Sequence, residues 1–310
     1  MKIHSLGNDF RAGNAVVTIG TFDGVHLGHM AVISRLKERA MELGGECVVI
    51  TFYPHPRQVL SGDSRPTALL CSPDEKRELL GNAGIDHLLV IDFDRELSMM
   101  EACQFIEKIL VGKIGAKHLI VGFNHHFGRR GEGNFDTIRD CTGRFGITVE
   151  KVDSINETEG AVSSSAIREL LLAGNIEEAN RMLGYSFFIT GKVIEGKKLG
   201  RKLGFPTANI LPWDQDKLIP PNGVYAVEVR LGNENFKGVL SIGTNPTVEK
   251  NRTSRSIEVN IFDFDRDIYG SELRVFLRHR LRDEMTFPSL EALKDQIGTD
   301  KLNAIAYLEK

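Results

Sequence analysis

Two hydrophobic periods divide the chain. Through residues 15–183, short apolar runs alternate with amphipathic stretches. The runs "AVVTIG", "CVVITF", "HLLVIDF", "HLIVGFN" and "ITVEKVD" predict five strands. After the first, Val32, Ile33, Leu36 and Ala40 recur at helical spacing and predict a helix with one apolar stripe. "SPDEKRELLGNAG" opens another helix, with Ser72 as N-cap, Pro73 at the first helical position and Glu75 closing a capping box. "SMMEACQFIEKILVGKIG" repeats the device with Ser98 and Glu101. Continuous apolar strands separated by helices predict a parallel sheet covered on both faces, with ligands at the carboxyl ends of its strands. "GTFDGVHLGH" and "GFNHHFG" both fall at such ends.

From about Tyr185 the period becomes two. In "GVYAVEVRL", Tyr225, Val227, Val229 and Leu231 share one face, and Glu228 and Arg230 the other. In "SELRVFLRHRL", Leu273, Val275 and Leu277 face one way and Glu272, Arg274 and Arg278 the other, with Phe276 breaking the rule. Strands of this kind joined by Gly, Asn and Pro turns predict an antiparallel barrel or sandwich, closed by the helix "SLEALKDQIGTDKLNAIAYL". The boundary is expected at residues 183–188, after the helical "SSSAIRELLLAGNIEEANRML". That gives domains of residues 1–184 and 185–310.

Composition narrows the function classes. A length of 310 residues suits two domains, and 41% hydrophobic with 26% charged residues is ordinary for a globular protein. A net charge of −3 gives no global attraction to nucleic acid or to an anionic membrane, so any phosphate binding must be local. Cys47, Cys71, Cys103 and Cys141 contain no C-x-x-C pair and are expected to be reduced, incidental thiols. No run approaches a membrane span and the N-terminus lacks an apolar leader. The expectation is a cytoplasmic protein without nucleic-acid or membrane partners, a monomer or weak homo-oligomer.

The first candidate site is "TIGTFDGVHLGH". Gly20 and Gly24 permit backbone conformations and close approaches that a side chain would block. A helix beginning near His26–Gly28 directs free N–H groups toward the strand mouth, and His26 and His29, three apart, project to nearly the same side. Two imidazoles beside open amides form a receptor for phosphate oxygens. An H-x-x-H pair can also ligate zinc, here with His125 or His126, but a pair straddling Gly28 in a strand-to-helix turn favours phosphate. The serine run of "VSSSAIREL" offers hydroxyls and a helix start, although taken alone it reads as a plain cap.

These residues resemble the H-x-G-H signature of nucleotidylyltransferases and, in fuller form, the N-terminal module of bacterial bifunctional riboflavin kinase/FAD synthetases. "TFYPHPRQVL", "VGFNHHFGRRGEGN" and "VSSSAIREL" resemble that family's later blocks in order. The resemblance implies a Rossmann-like nucleotidylyltransferase fold for this half, adenylylating FMN to FAD. It implies that His26 and His29 act on ATP phosphates, with Gly20, Thr21, Phe22, Asp23, Gly28, Asn124, Ser163, Ser164 and Arg168 completing the ATP site. The family usually carries threonine at Ser165, and an Asp-Phe pair and a basic residue where this chain has Asn124-His125 and Gly131. Arg129 and Arg130 stand close by in sequence.

In the second half, "GKVIEGKK" has the spacing of a P-loop, but Lys198 stands where a metal-binding hydroxyl is needed. The following "LGRKLGFP" does not read as a helix, so the P-loop is rejected. In "GRKLGFPTANI" an extended run after Pro206 places Thr207 and Asn209 on one face. Two neutral oxygen ligands cannot hold Mg²⁺ alone but can complete the shell of an ion carried by ATP. Spacing alone favours a polar strand face. The segment resembles the P-T-A-N block of riboflavin kinases, and "GVYAVEV", "GVLSIGTNPTV", "SIEVNIFDFDRDIYG" and "LRDEMTF" come after it in that family's order. This implies a riboflavin kinase barrel with Glu258 as catalytic base, Thr207 and Asn209 at Mg-ATP, and Arg282 on the flavin side. Gly200, Arg201, Gly204 and Pro206 would belong to the same ATP- and flavin-binding set. Alternation supports Glu258 only permissively, because a solvated glutamate shows the same pattern. The substrates implied are riboflavin, FMN and ATP. Two other readings compete: a flavin-binding regulatory protein, and an adenylyltransferase for another phosphorylated substrate with a noncatalytic barrel.

Overall fold

The computed structural model describes residues 1–7, 10–60, 68–123, 127–154, 156–157, 160–196, 199–244 and 255–310. Its chain contacts separate into two compact units, residues 1–164 and 165–310.

The first unit is built on six parallel strands: β1 (Lys2–Ser5), β2 (Val16–Ile19), β3 (Cys47–Tyr53), β4 (His87–Asp92), β5 (His118–Gly122) and β6 (Thr148–Val152). They lie in the order β1-β4-β3-β2-β5-β6. Alternation sends Val17, Ile19, Val48, Ile50, Leu119 and Val121 to one layer and Val16, Val49, Leu88 and Ile120 to the other. Both layers are buried, so the strands read as unbroken apolar runs. Strand β1 was absent from the sequence expectation. It is a mostly exposed edge strand that pairs only with β4 and carries no apolar period.

Helix α1 (Leu27–Leu43) buries the expected stripe of Val32, Ile33, Leu36 and Ala40. The short α2 (Pro56–Leu60) comes after β3. Helix α3 (Pro73–Asn82) forms the expected capping box, Ser72 Oγ accepting from the Glu75 N–H and Glu75 from the Ser72 N–H. The Ser98 cap does not form. Asp94 instead accepts from the Leu97 N–H and starts a one-turn helix α4 (Arg95–Ser98), in which Ser98 is the last residue. Helix α5 (Ala102–Phe105) then begins after Glu101 without a side-chain cap and runs into a π-helical stretch, Ile106–Ile114. Helix α6 (Phe135–Gly143) is capped by Asn134, and β7 (Asn156–Glu157) pairs with β8 (Gly160–Ala161).

The thiol expectation needs one correction. Cys103 and Cys141 form a disulfide, because packing of α5 against α6 brings their Cα atoms to 5.3 Å across a separation of 38 residues. Cys47 and Cys71 are free and buried.

The helical segment is two helices, α7 (Ser164–Ala173), whose first residue closes the first unit, and α8 (Ile176–Leu183), parted at Gly174. A closed antiparallel barrel is formed by β9 (Phe188–Ile194), β10 (Ala208–Pro212), β11 (Gly223–Leu231), β12 (Glu234–Thr244), β13 (Arg255–Ile261) and β14 (Glu272–Arg282). A one-turn helix, α9 (Leu199–Leu203), separates β9 from β10. Asn180 ties α8 to the barrel: its Nδ2 donates to Leu277 O at 2.9 Å and its Oδ1 accepts from Phe187 N–H at 2.7 Å. Tyr225, Val227, Val229, Leu240, Ile242, Ile257, Val259, Leu273, Val275 and Leu277 are all buried. The irregular Phe276 packs beside Phe188 with Arg230 over its ring, which explains an aromatic on the polar face. Helix α10 (Leu290–Leu308), capped by Ser289, lays Ala304 against Ala226 and Phe262. That contact buries part of a face that alternation alone marks as outward. Among the described residues no helix is long and apolar enough to cross a membrane.

Candidate active sites

The first site grows from the exit of β2. Gly20 N–H donates to Ile50 O at 3.0 Å, and the next carbonyl, Thr21 O, accepts from the Thr51 hydroxyl at 3.1 Å and from Lys76 Nζ at 2.7 Å. Phe22 and Val25 then adopt positive φ of 48° and 38° while staying almost wholly buried. Bulky residues rarely accept that conformation unless packing over-determines it, and such strain gathers at functional turns.

Asp23 is buried, and its Oδ1 accepts from the Leu70 and Cys71 N–H groups at 2.9 and 3.2 Å. Its backbone carbonyl accepts from Ser164 Oγ at 2.8 Å. The Asp23 carboxylate therefore fastens the turn to the 70–71 backbone, and Ser164 at the start of α7 fastens it from the other side.

His26 is the N-cap of α1, its Nδ1 accepting from the His29 N–H at 3.3 Å. The two rings stack at 3.7 Å and 18°, with Phe22 tilted against His29 at 5.0 Å. Gly28 separates the two histidines in sequence, and a Cβ there would crowd the His26 ring at 3.2 Å and Val162 O at 3.3 Å. Burial pushes His26 down to about 4, with Asp23 opposing the shift. His29 lies well below the ordinary histidine value, through burial first, then His26, then Lys76. Among the described residues His29 Nδ1 is buried without a hydrogen-bond partner. The pair is thus neutral at physiological pH, beside the opening turn of a helix, and suited to donating hydrogen bonds to an anion.

Asn124, His125 and His126 lie outside the described residues. Arg129 is engaged by Glu101 at 3.1 Å and Glu132 at 3.6 Å. Ser163 immediately precedes α7, and Arg168 lies one turn after Ser164 on that helix and groups with the second unit.

The second site forms on the outer face of the barrel. Ile257, Val259 and Ile261 point inward and are buried, leaving Glu258 and Asn260 outward. Strand β10 pairs with β13 so that Asn209 lies opposite Glu258, and Ser241 lies opposite it on β12. Thr207 Oγ1 donates to Glu258 Oε2 at 3.1 Å, and Asn260 Nδ2 donates to Pro206 O at 2.7 Å. Thr207, Asn209 and Glu258, to which the resemblance assigns roles, therefore lie side by side on one polar face. Gly196 lets this happen: a Cβ there would fall 2.0 Å from Asn209 Nδ2.

The segment before Pro206 differs from its sequence reading. Helix α9 contains Gly200 and Arg201 and is ended by Gly204 at φ 88°. The Phe205 N–H folds back to Gly200 O at 2.9 Å, so a helical turn forms in a segment whose sequence does not read as a helix. Arg282 is held by α10. Its Nε and Nη2 donate to Asp300 at 2.9 and 2.7 Å and its Nη1 to Asp283 O at 2.8 Å.

Residues 9–166 match the family model described as FAD synthetase, and residues 183–308 the one described as riboflavin kinase. The bifunctional riboflavin kinase/FMN adenylyltransferase of Bacillus subtilis is 39% identical over 94% of this chain and 92% of its own. Its counterparts in Pseudomonas fluorescens and Escherichia coli are each 38% identical, covering 96% and 97% of this chain and 94% and 95% of theirs. The chain belongs to the bifunctional riboflavin kinase/FMN adenylyltransferase family. A crystal structure described as a macrolide-efflux protein from Streptococcus pneumoniae shares the fold, with a TM-score of 0.87, 30% identity and 94% of both chains covered.

The two sites have distinct settings, one with paired imidazoles and one with a carboxylate. The sequence reading overlooked Lys76. Its signal was a cation at the fourth position of α3, a helix end whose dipole favours anions.

Proposed function

We propose that the chain makes FAD from riboflavin in two steps, each with its own ATP. The barrel unit transfers the γ-phosphoryl group of ATP to riboflavin, giving FMN and ADP. The parallel-sheet unit transfers the adenylyl group of a second ATP to FMN, giving FAD and pyrophosphate.

The carrying observation is the difference between the settings: Glu258 bonded to Thr207 in one, the stacked neutral His26 and His29 in the other. Riboflavin presents a neutral primary hydroxyl whose proton must leave as its oxygen attacks γ-phosphorus. Glu258 accepts that proton, a general-base contribution typically worth about 10²–10⁴-fold. FMN presents a phosphate already anionic at neutral pH. Its oxygen attacks α-phosphorus without a base, so alignment and charge stabilisation suffice. His26, His29 and the amides opening α1 supply donors there, and Asp23 and Ser164 hold the turn that presents them.

Among the described residues no cluster of three or more His, Cys, Asp or Glu side chains could cage a metal ion. Thr207 and Asn209, neutral oxygen donors beside the Glu258 carboxylate, suit Mg²⁺ that arrives bound to ATP phosphates. When bound, Mg²⁺ neutralises phosphate charge. Gly200 and Arg201 on α9, with Gly204 and Pro206 after it, complete the ATP and flavin site, and Arg282, anchored by Asp300 of α10, lies on the flavin side.

Incubating the protein with riboflavin, ATP and Mg²⁺, and separately with FMN, ATP and Mg²⁺, tests the reading by chromatography. FMN and FAD are expected from the first mixture and FAD from the second. Flavin binding without either product contradicts it.

A further inference from the structure

Burial keeps His26 and His29 neutral, so neither imidazole brings net charge to an ATP triphosphate or to departing pyrophosphate. Lys76 carries an ammonium to the same turn. The capping box at Ser72 and Glu75 fixes the start of α3, and the fourth helical residue reaches back to Thr21 O at 2.7 Å.

A lysine so near a helix N-terminus works against the helix dipole. The carbonyl it touches already accepts from the Thr51 hydroxyl, so satisfying Thr21 O does not require it. An ammonium has three donors, and Thr21 takes one. Of the acidic residues that precede it on α3, Glu75 accepts from the Ser72 N–H and Asp74 pairs with Arg77 at 2.8 Å. Lys76 is therefore a cation held at the strand mouth by a backbone carbonyl.

We propose that Lys76 is a further binding and catalytic residue of the adenylyl-transfer site, its ammonium meeting the phosphate oxygens that leave as pyrophosphate. This rests on the adenylyltransferase reading above. As the FMN phosphate oxygen bonds to α-phosphorus, the bond from α-phosphorus to the bridging oxygen breaks. The electron pair departs on pyrophosphate, and Lys76 faces the charge that grows there. The Thr21 contact fixes the ammonium beforehand, so little reorganisation accompanies the step.

The test uses the full chain with FMN, ATP and Mg²⁺, comparing Lys76→Met and Lys76→Arg. Loss of one such donor typically lowers turnover about 10²–10³-fold. Lys76→Met is expected to lose about 10²-fold in kcat for FAD formation and to weaken inhibition by added inorganic pyrophosphate about tenfold. Lys76→Arg, which retains the charge, should recover at least tenfold of the lost rate. Riboflavin phosphorylation and the thermal unfolding profile report whether each variant is folded. Turnover of Lys76→Met within about threefold of wild type overturns the assignment, as does a slow variant whose pyrophosphate inhibition is unchanged. A wild-type chain that forms no FAD from FMN overturns the adenylyltransferase reading itself, a result distinct from either of these.

Discussion

The Thr207 hydroxyl donates to the Glu258 carboxylate at 3.1 Å, joining residues 51 apart in sequence through the pairing of β10 with β13. One oxygen of the proposed base is thereby oriented by a residue of the same polar face. Replacing Glu258 with Gln keeps the shape and removes the proton acceptor. Riboflavin phosphorylation should fall by at least about 10²-fold, while FAD formation from supplied FMN persists. Steady-state assays of the two half-reactions measure this, and equal losses in both would contradict the assignment.

His26 predicts a pH dependence of stability. Its value falls from 6.5 to about 4 on folding, chiefly by burial, so between those values the unfolded chain binds more protons. Stability is full above 6.5 and declines as pH falls toward 4, by on the order of 3 kcal/mol for this group. Asn is a good N-cap that does not titrate. Denaturant unfolding of His26→Asn, monitored by circular dichroism between pH 6.5 and 5, should show a shallower loss than wild type. An identical slope would sink the attribution.

The Arg282–Asp300 pair predicts a structural loss in the barrel unit. Asp300 is buried and also accepts from Gln296 Nε2 at 2.9 Å. Removing one partner of a buried pair typically costs about 3–5 kcal/mol, because the other charge is left uncompensated. Asp300→Ala should lower the unfolding temperature markedly. Glu309→Ala, which removes an exposed pair with Lys237, should leave it nearly unchanged. Thermal unfolding of both variants checks the contrast.

What the sequence made legible was local. The α1 stripe, the Ser72–Glu75 capping box and the inward alternation around Glu258 all rest on neighbours within a turn or a strand, and all formed. The resemblance singled out Thr207, Asn209 and Glu258, and the β10–β13 pairing sets them on one face. What escaped depends on distant partners. Lys76 meets Thr21 across 55 residues, Asp23 holds the 70–71 amides, and α5–α6 packing joins Cys103 to Cys141. Periodicity marks which face is buried, and it is blind to which distant backbone group a long side chain will reach. Ser98 did not become a cap because it ends α4, its hydroxyl donating to Arg95 O, and the next helix begins only after Glu101.

Complementation between two damaged chains tests the central claim, that each unit handles its own nucleophile, most directly. His29→Ala is expected to turn riboflavin into FMN and stop, and Glu258→Ala to leave riboflavin unchanged while still making FAD from FMN. Mixed with riboflavin, ATP and Mg²⁺, the two folded variants should produce FAD that neither produces alone. A mixture that yields no FAD, or a single substitution that abolishes both half-reactions in a folded chain, would contradict the two-site account.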